Sequence, residues 1–379
     1  MTAAPTLELA NLGLAYTPRQ PILHDVCLRL APGERLAVCG FSGAGKSTLL
    51  RLIAGLTAPT SGRIFFDGRD VTDEPPAARG VAWVPQRPTL WPGLTVAQNL
   101  AMPLQLLPRR QRPAPAAIAQ RVRAAAEAFE LAELLDRPCD QLSGGQAQRV
   151  ALARVLVRPV RLWLLDEPLA SLDPPLRWQV AQRLLLHREA IAATMVCVTH
   201  DWAEASILAE RIVLIADGTV SRPATADRLR ADPQTLTQAR LAGDPPWNLL
   251  PGVLVSRAAG SPQAGWVVRL PSAEVELPCG PATGWQAGPV WLGVRPEMVR
   301  LAPADQPPTD WGWWQLVRLQ PRGGVCWSLL RRGSAELLAW AAPGTAPQLR
   351  LGQSYTLHCP ADTIRLFCPK SGKTLSQEG

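Results

Sequence analysis

The sequence is poor in lysine. Of its 39 basic residues only three are lysines, Lys46, Lys370 and Lys373, and the rest are arginines. It has no run of about 18 consecutive apolar residues, which excludes a membrane-spanning helix of the usual length. Its first residues, MTAAPTLELANLG, lack the basic start and apolar stretch of a secretory signal, so a cytosolic chain is expected. The eight cysteines, at 27, 39, 139, 197, 279, 326, 359 and 368, form no CxxC, and the four histidines stand singly. That excludes finger-type metal spacing and leaves small buried thiols in a reducing compartment. The net charge of +8 comes without an RNP-like aromatic string or a Cys/His finger, and the arginines are dispersed, with short pairs such as Arg109-Arg110 and Arg331-Arg332. Nucleic-acid recognition is therefore not expected. The wealth of alanine, arginine and proline reads as a coding bias that places arginine wherever a generic cation suffices.

At 379 residues the chain is too long for one average domain. Hydrophobic residues make up 47% and mean hydropathy is near zero, which fits a globular protein with a real core. Against the arginine bias, Lys46 stands in GFSGAGKS, which fits G-x-x-x-x-G-K-[ST] at Gly40, Gly45, Lys46 and Ser47. The β-like run ERLAVCG precedes it and the helically spaced STLLRLIAGL follows, which is the context a phosphate-binding loop requires. The glycines let the backbone turn tightly and aim its N–H groups inward, and the helix start adds its positive end. An ammonium is a compact point charge that fits between phosphates in such a nest, whereas the guanidinium is a bulky planar fork. Lysine survives where arginine cannot replace it.

Two further stretches carry chemistry. LWLLDEP (162–168) is an apolar strand that delivers Asp166 and Glu167 at its C-terminal tip, beside the phosphate loop in a parallel sheet. Asp166 there can hold Mg²⁺ through water, and Glu167 can orient and deprotonate an attacking water. QLSGGQAQRVALARVL (141–156) opens an amphipathic helix with Ser143, Gly144 and Gly145, a second anion-binding helix start. One nucleotide does not need two cradles, so the second is expected to serve a nucleotide held by another copy of the chain. The local alternative is an ordinary serine N-cap followed by glycines.

In this order the motifs resemble the ATP-binding subunits of ABC transporters, over residues 6 to about 240. The resemblance aligns Gly40 to Thr48, including Ser42 and Gly43, with Walker A, and Gln86 with the Q-loop, a ligand of Mg²⁺ as well as a catalytic group. Leu142 to Gln146 align with the signature, Asp166 and Glu167 with Walker B, Asp173 with the D-loop, and His200 with the switch histidine. Tyr16 sits where the family stacks an aromatic ring on adenine. Two departures are Ala147 after the signature and Trp202 after His200-Asp201. The fold implied is an α/β P-loop ATPase with a RecA-like core, a nucleotide-binding domain over 1–242 with a helical subdomain at about 87–150. The implied ligands are ATP and Mg²⁺ bound between two copies. The implied partners are transmembrane permease subunits and a substrate-binding protein, which place the chain peripherally on the cytoplasmic face of the cell membrane.

Residues 243–379 change texture. Short alternating runs split by Gly and Pro (GWVVRL, PVWLGVRPEMVRL, WWQLVRL, CWSLLRR, AELLAW, SYTLHC, TIRLFC) read as a small β-barrel. Nine of the fourteen tryptophans lie here, and tryptophan in such a domain more often fills a core or interface than binds a ligand. LGVRPEMV and GDPPWNLLPG resemble segments of carbohydrate-importer ATPases, which carry an all-β, OB-like (TOBE-type) regulatory domain after the ATPase. Import of a sugar or glycerol-phosphate-type solute is the expectation. The rivals are an importer ATPase for sulfate, iron, polyamine or molybdate, a soluble ABC ATPase, and a binding module without catalysis. If the steric reading of the phosphate loop is correct, Lys46→Arg severely weakens ATP binding or hydrolysis; wild-type turnover in that variant would refute it.

Overall fold

Continuous apolar runs such as LWLLD and TMVCVT have no polar face to offer water, and both become strands buried on each side. The structure is a computed structural model, and it describes residues 5–17, 20–158, 160–257, 265–271, 275–280, 285–302, 309–322, 325–341 and 348–375. The chain divides into two compact units, Met1–Ala226 and Asp227–Gly379; the texture of the sequence changes after Ala242.

In the first unit the elements run β1 (Leu7–Thr17), β2 (Gln20–Leu30), β3 (Arg35–Cys39), α1 (Lys46–Ala54), β4 (Ser61–Phe66), β5 (Arg69–Asp70), β6 (Val81–Val84), α2 (Val96–Gln105), α3 (Pro115–Ala128), α4 (Gly144–Val157), β7 (Leu162–Asp166), α5 (Pro174–Ile191), β8 (Thr194–Thr199), α6 (Trp202–Leu208), β9 (Arg211–Ala216) and β10 (Thr219–Val220). Six strands form a sheet in the order β10-β9-β3-β8-β7-β6, parallel except for β10. An antiparallel sheet, β2-β1-β4-β5, stands beside it. Helix α1 packs between the two, its Leu49, Leu52 and Ile53 sharing a core with Leu9 of β1, Leu164 of β7 and Val198 of β8. The alternate residues of the same strands, Trp163, Leu165, Met195 and Cys197, pack on the opposite face against α2, α4 and α5. Helices α2 and α3 and the start of α4 fall in the stretch read as a helical subdomain. No helix of the described residues is long and apolar enough to cross a membrane.

The second unit has α7 (Ala226–Ala231), whose first residue closes the first unit, and α8 (Leu236–Leu241). Its strands are β11 (Asn248–Arg257), β12 (Gly265–Leu270), β13 (Val275–Gly280), β14 (Gly288–Val294), β15 (Arg300–Ala302), β16 (Trp313–Arg322), β17 (Val325–Arg332), β18 (Ala335–Ala341), β19 (Ser354–His358) and β20 (Arg365–Phe367). An OB-like closed barrel of five strands, β15-β18-β17-β16-β19, is present as expected, and with it comes a five-stranded antiparallel sheet, β13-β12-β11-β14-β20. The sequence pattern hid β11, the central strand of that sheet, because a Pro-Gly pair inside NLLPGVLVSR reads as a turn. Trp247, Trp311 and Trp314 are buried, so these three tryptophans fill core.

One buried arginine ties the end of α1 to the chain that follows β5. Arg79 donates to the carbonyls of Leu52, Ile53, Thr72 and Glu74 at 2.7–2.9 Å, satisfying helix-end acceptors that otherwise need water. Arg79→Ala removes these bonds, leaving the Leu52 carbonyl only the Gly55 N–H, and is expected to cost about 3 kcal/mol. The check is a urea titration, which should show a lower midpoint at unchanged slope.

Candidate active site

The chain leaves β3 at Cys39 and must turn at once, because β9 runs alongside. A Cβ on Gly40 would lie 2.6 Å from both the Ile215 carbonyl oxygen and its side chain. Gly43 and Gly45 follow with φ of +81° and +97°, left-handed values that favour glycine. Gly45 then caps α1, and Lys46 is its first residue. The Lys46 ammonium is buried and donates to the carbonyls of Gly40 at 2.8 Å and Phe41 at 2.9 Å, so it lies in the crook of the loop. Burial lowers its pKa, and the carboxylates of Glu167 and Asp166 oppose that shift. Ser42 is exposed, and Ser47 and Thr48 are half-buried in the first turn of the helix.

Strand β7 carries its acids to the same end of the sheet. Asp166 is buried, and its Oδ1 accepts the Ser47 hydroxyl at 3.0 Å. Burial raises its pKa and the Ser47 bond partly offsets this. Glu167 takes a left-handed φ of 48° and donates its N–H to Val198 of β8 at 2.8 Å, which turns its side chain off the strand line. Its carboxylate meets two groups distant in sequence: Gln86 Nε2 donates to Oε2 at 3.0 Å, and His200 Nδ1 lies 2.9 Å from Oε1. Gln86, read as a ligand of Mg²⁺, has its amide on Glu167, while Ser47 and Asp166 pair with each other.

The glycine helix start opens α4. Ser143 caps α4, its hydroxyl accepting the Gln146 N–H at 3.3 Å, while Gln146 Oε1 accepts the Ser143 N–H at 3.0 Å. This reciprocal capping box is the local role open to any such serine. A Cβ on Gly144 would meet nothing within 4 Å, whereas one on Gly145 would lie 3.3 Å from the Ser171 carbonyl oxygen. No hydrogen bond among the described residues joins this helix start to the Gly40–Thr48 loop. Asp173 occupies the N-cap of α5 without a side-chain capping bond. Tyr16, near the end of β1, is 65% exposed and lies outside the core.

The sequence did not point to Gln148, Arg177, Thr199 or Glu204, which bind the segment after Glu167 and the turn that carries His200. None stands in a spacing that signals chemistry. Cys39, Cys139 and Cys197 are the buried thiols expected, whereas Cys27 is exposed and Cys326, Cys359 and Cys368 are part-exposed; burial pushes Cys39 up to about 12 and Cys197 well above its ordinary value.

A phosphate loop on a central parallel strand, with a strand-tip carboxylate pair beside it, defines a P-loop nucleotide hydrolase. The ABC transporter family matches residues 23–170. The sn-glycerol-3-phosphate import ATP-binding protein UgpC 3 of Agrobacterium fabrum is 35% identical over 364 residues, 95% of this chain and 97% of its own. The alpha-glucoside transport ATP-binding protein AglK of Rhizobium meliloti is 38% identical over 287 residues, 75% of this chain and 76% of its own. A dimeric post-hydrolysis structure of the ATP-binding cassette MJ0796 with ADP and Pi aligns with a TM-score of 0.54 and 31% identity, covering 58% of this chain and 98% of that one. The chain belongs to the ATP-binding proteins of the ABC transporter family, and it is an ATP-binding ATPase.

The crowding at Gly40 yields a direct test. Gly40→Ala should displace the loop from Ile215 and weaken ATP binding at least about tenfold, or about 1.4 kcal/mol. Nucleotide titration checks this, and an affinity within about twofold of wild type would mean the loop absorbs the methyl group.

Proposed function

We propose that this ATPase powers import of a sugar or glycerol-phosphate-type solute through separate membrane subunits. The observation that carries the proposal is identity of 35% over nearly the whole chain, the β-rich unit included, with an ATP-binding protein named for sn-glycerol-3-phosphate import. A substrate-binding protein would deliver the solute to the permease, and the ATPase would work at the cytoplasmic face of the membrane.

Within one chain, Gly40 to Thr48 receive the phosphates. Lys46 exchanges its loop carbonyls for phosphate oxygens, and the exposed Tyr16 ring stacks on adenine. Ser47 Oγ and Asp166 Oδ1, 3.0 Å apart, are hard oxygen donors that suit Mg²⁺. Bound there, the ion supplies charge neutralisation at the phosphate oxygens. Glu167 is the general base. Gln86 and His200 hold its two carboxylate oxygens, which fixes the direction in which it takes a proton from the attacking water. With Glu167 ionised, His200 Nδ1 is the donor in their bond.

Two copies complete two sites. Ser143, Gly144, Gly145 and Gln146 of one chain face the nucleotide on Walker A of the other, with Asp173 lining the joint; the dimeric MJ0796 cassette supports this arrangement. ATP closes the pair and hydrolysis reopens it, and this cycle drives the membrane subunits. The domain of residues 243–379 regulates or stabilises the dimer and takes no part in the chemistry.

Glu167→Gln tests both the base and the sandwich. It should bind ATP yet hydrolyse it at least about a hundredfold more slowly. In that background, cysteines placed at Ser42 and Gln146 should crosslink two chains only when ATP is bound. Near-normal turnover removes the base, and crosslinking that is absent or indifferent to ATP removes the sandwich.

A further inference from the structure

Three helices converge on the backbone of Pro168–Leu172, the segment that follows Glu167. Gln148 of α4 donates to the Pro168 carbonyl at 2.9 Å. Arg177 of α5 donates to the carbonyls of Leu172 at 2.7 Å and Ala170 at 3.3 Å. Glu204 of α6 accepts the Leu169 N–H at 3.1 Å. The other oxygen of Glu204 accepts the Thr199 hydroxyl at 2.6 Å, and Thr199 Oγ1 in turn accepts the Asp201 N–H at 3.0 Å. Thr199 and Asp201 are the two neighbours of His200. Asp201 also caps α6 and pairs with Arg177 at 3.3 Å. The turn that carries His200 is therefore tied to the segment beyond Glu167 twice, through the Glu204 carboxylate and through the Arg177–Asp201 pair.

A carboxylate is a costly choice for that place. Glu204 is buried, and a buried charge destabilises unless fully paired. The charged groups acting on it are Asp201 at the start of its own helix and Glu167 from the tip of β7, both acidic; the thiols of Cys39 on β3 and Cys197 on β8 also feel its charge. The nearby guanidinium of Arg177 is engaged by Asp201. A neutral side chain would pack here without the penalty, so stability does not account for the acid.

We infer that Glu204 is a positioning residue for hydrolysis: by accepting the Thr199 hydroxyl and the Leu169 N–H together, it holds His200 against Glu167. This rests on the roles proposed above for Glu167 and His200. Burial pushes the Glu204 carboxyl up to about 7, against the smaller downward pull of its two hydrogen bonds. Protonation there leaves one fewer ionised acceptor, so the hold loosens as pH falls through about 7. Stability moves the other way. The unfolded chain releases this proton near the ordinary carboxylate value and the folded chain keeps it to about 7. Relative to a neutral residue, Glu204 therefore makes the fold progressively less stable as pH rises across that window.

The test measures ATP affinity, single-turnover hydrolysis and melting temperature on the full chain between about pH 5.5 and about pH 8.5, for wild type, E204Q, E204A and E167Q. E204Q should bind ATP within about threefold of wild type and hydrolyse it about tenfold more slowly at high pH, the effect of one charge-assisted hydrogen bond. Its rate should lack the part of the wild-type acid limb that lies near neutrality, and its melting temperature should gain on wild type as pH rises. E204A should be slower still; if it does not fold, E204Q decides alone. Hydrolysis by E204Q within about twofold of wild type, an unchanged acid limb, or a rate that falls only in step with melting temperature overturns the role. E167Q separates the two readings: if it hydrolyses ATP normally, the assignment of the base fails, whereas an inactive E167Q beside a wild-type-like E204Q removes only the positioning role.

Discussion

Strands β7 and β8 are buried along their length, and β3 from Leu36 onward, and a polar side chain in mid-strand would lose its water without replacement. This constraint organises the first unit. Polar chemistry is pushed to the strand tips, and in a parallel sheet the tips that carry it share one edge. Asp166 ends β7, Thr199 ends β8, and the glycine loop begins where β3 stops. Glu167 reaches His200 because β7 and β8 are neighbours in register, Asp166 standing opposite Val198, whereas Ser47, in the first turn of the helix after β3, reaches Asp166 although β8 lies between β3 and β7. The apolar interior thus does more than stabilise the unit; it sets the distances at the site.

Those distances make Glu167 the point where three pieces of chain meet. A carboxylate with both oxygens engaged cannot swing freely, so its bonding to Gln86 and His200 orders a group that would otherwise sample several rotamers. Beyond it, Pro168–Leu172 is bonded by side chains from α4, α5 and α6. The helix begun by Ser143 and the turn bearing His200 therefore share a common backbone segment. A displacement at either has a short, hydrogen-bonded path to the other.

The second unit works by different means. Its strands are antiparallel but for one short parallel bridge, and their inward residues, such as Trp314, Leu316, Leu330 and Leu337, build a core that is mostly aliphatic. Asn248 of β11 bonds both backbone groups of Leu338 of β18 at 2.8 Å, so the open sheet and the barrel are stitched by one side chain acting as a peptide would.

The sequence alone determined the phosphate loop, the acids at the tip of LWLLD, the glycine helix start and the β texture of the second half. Each is a local matter: a glycine at a left-handed turn, an unbroken apolar run or a period-two alternation depends on residues close in the chain. It could not place Gln86 on Glu167, because that contact is made across 81 residues by which strands lie next to each other. It did not separate an open sheet from a barrel in the second unit, since strands of either kind alternate alike. It passed over Glu204, whose four-residue distance from His200 resembles any exposed acid on a helix. Only tertiary packing removed water from that carboxylate and turned an ordinary side chain into a tie between two loops of the site.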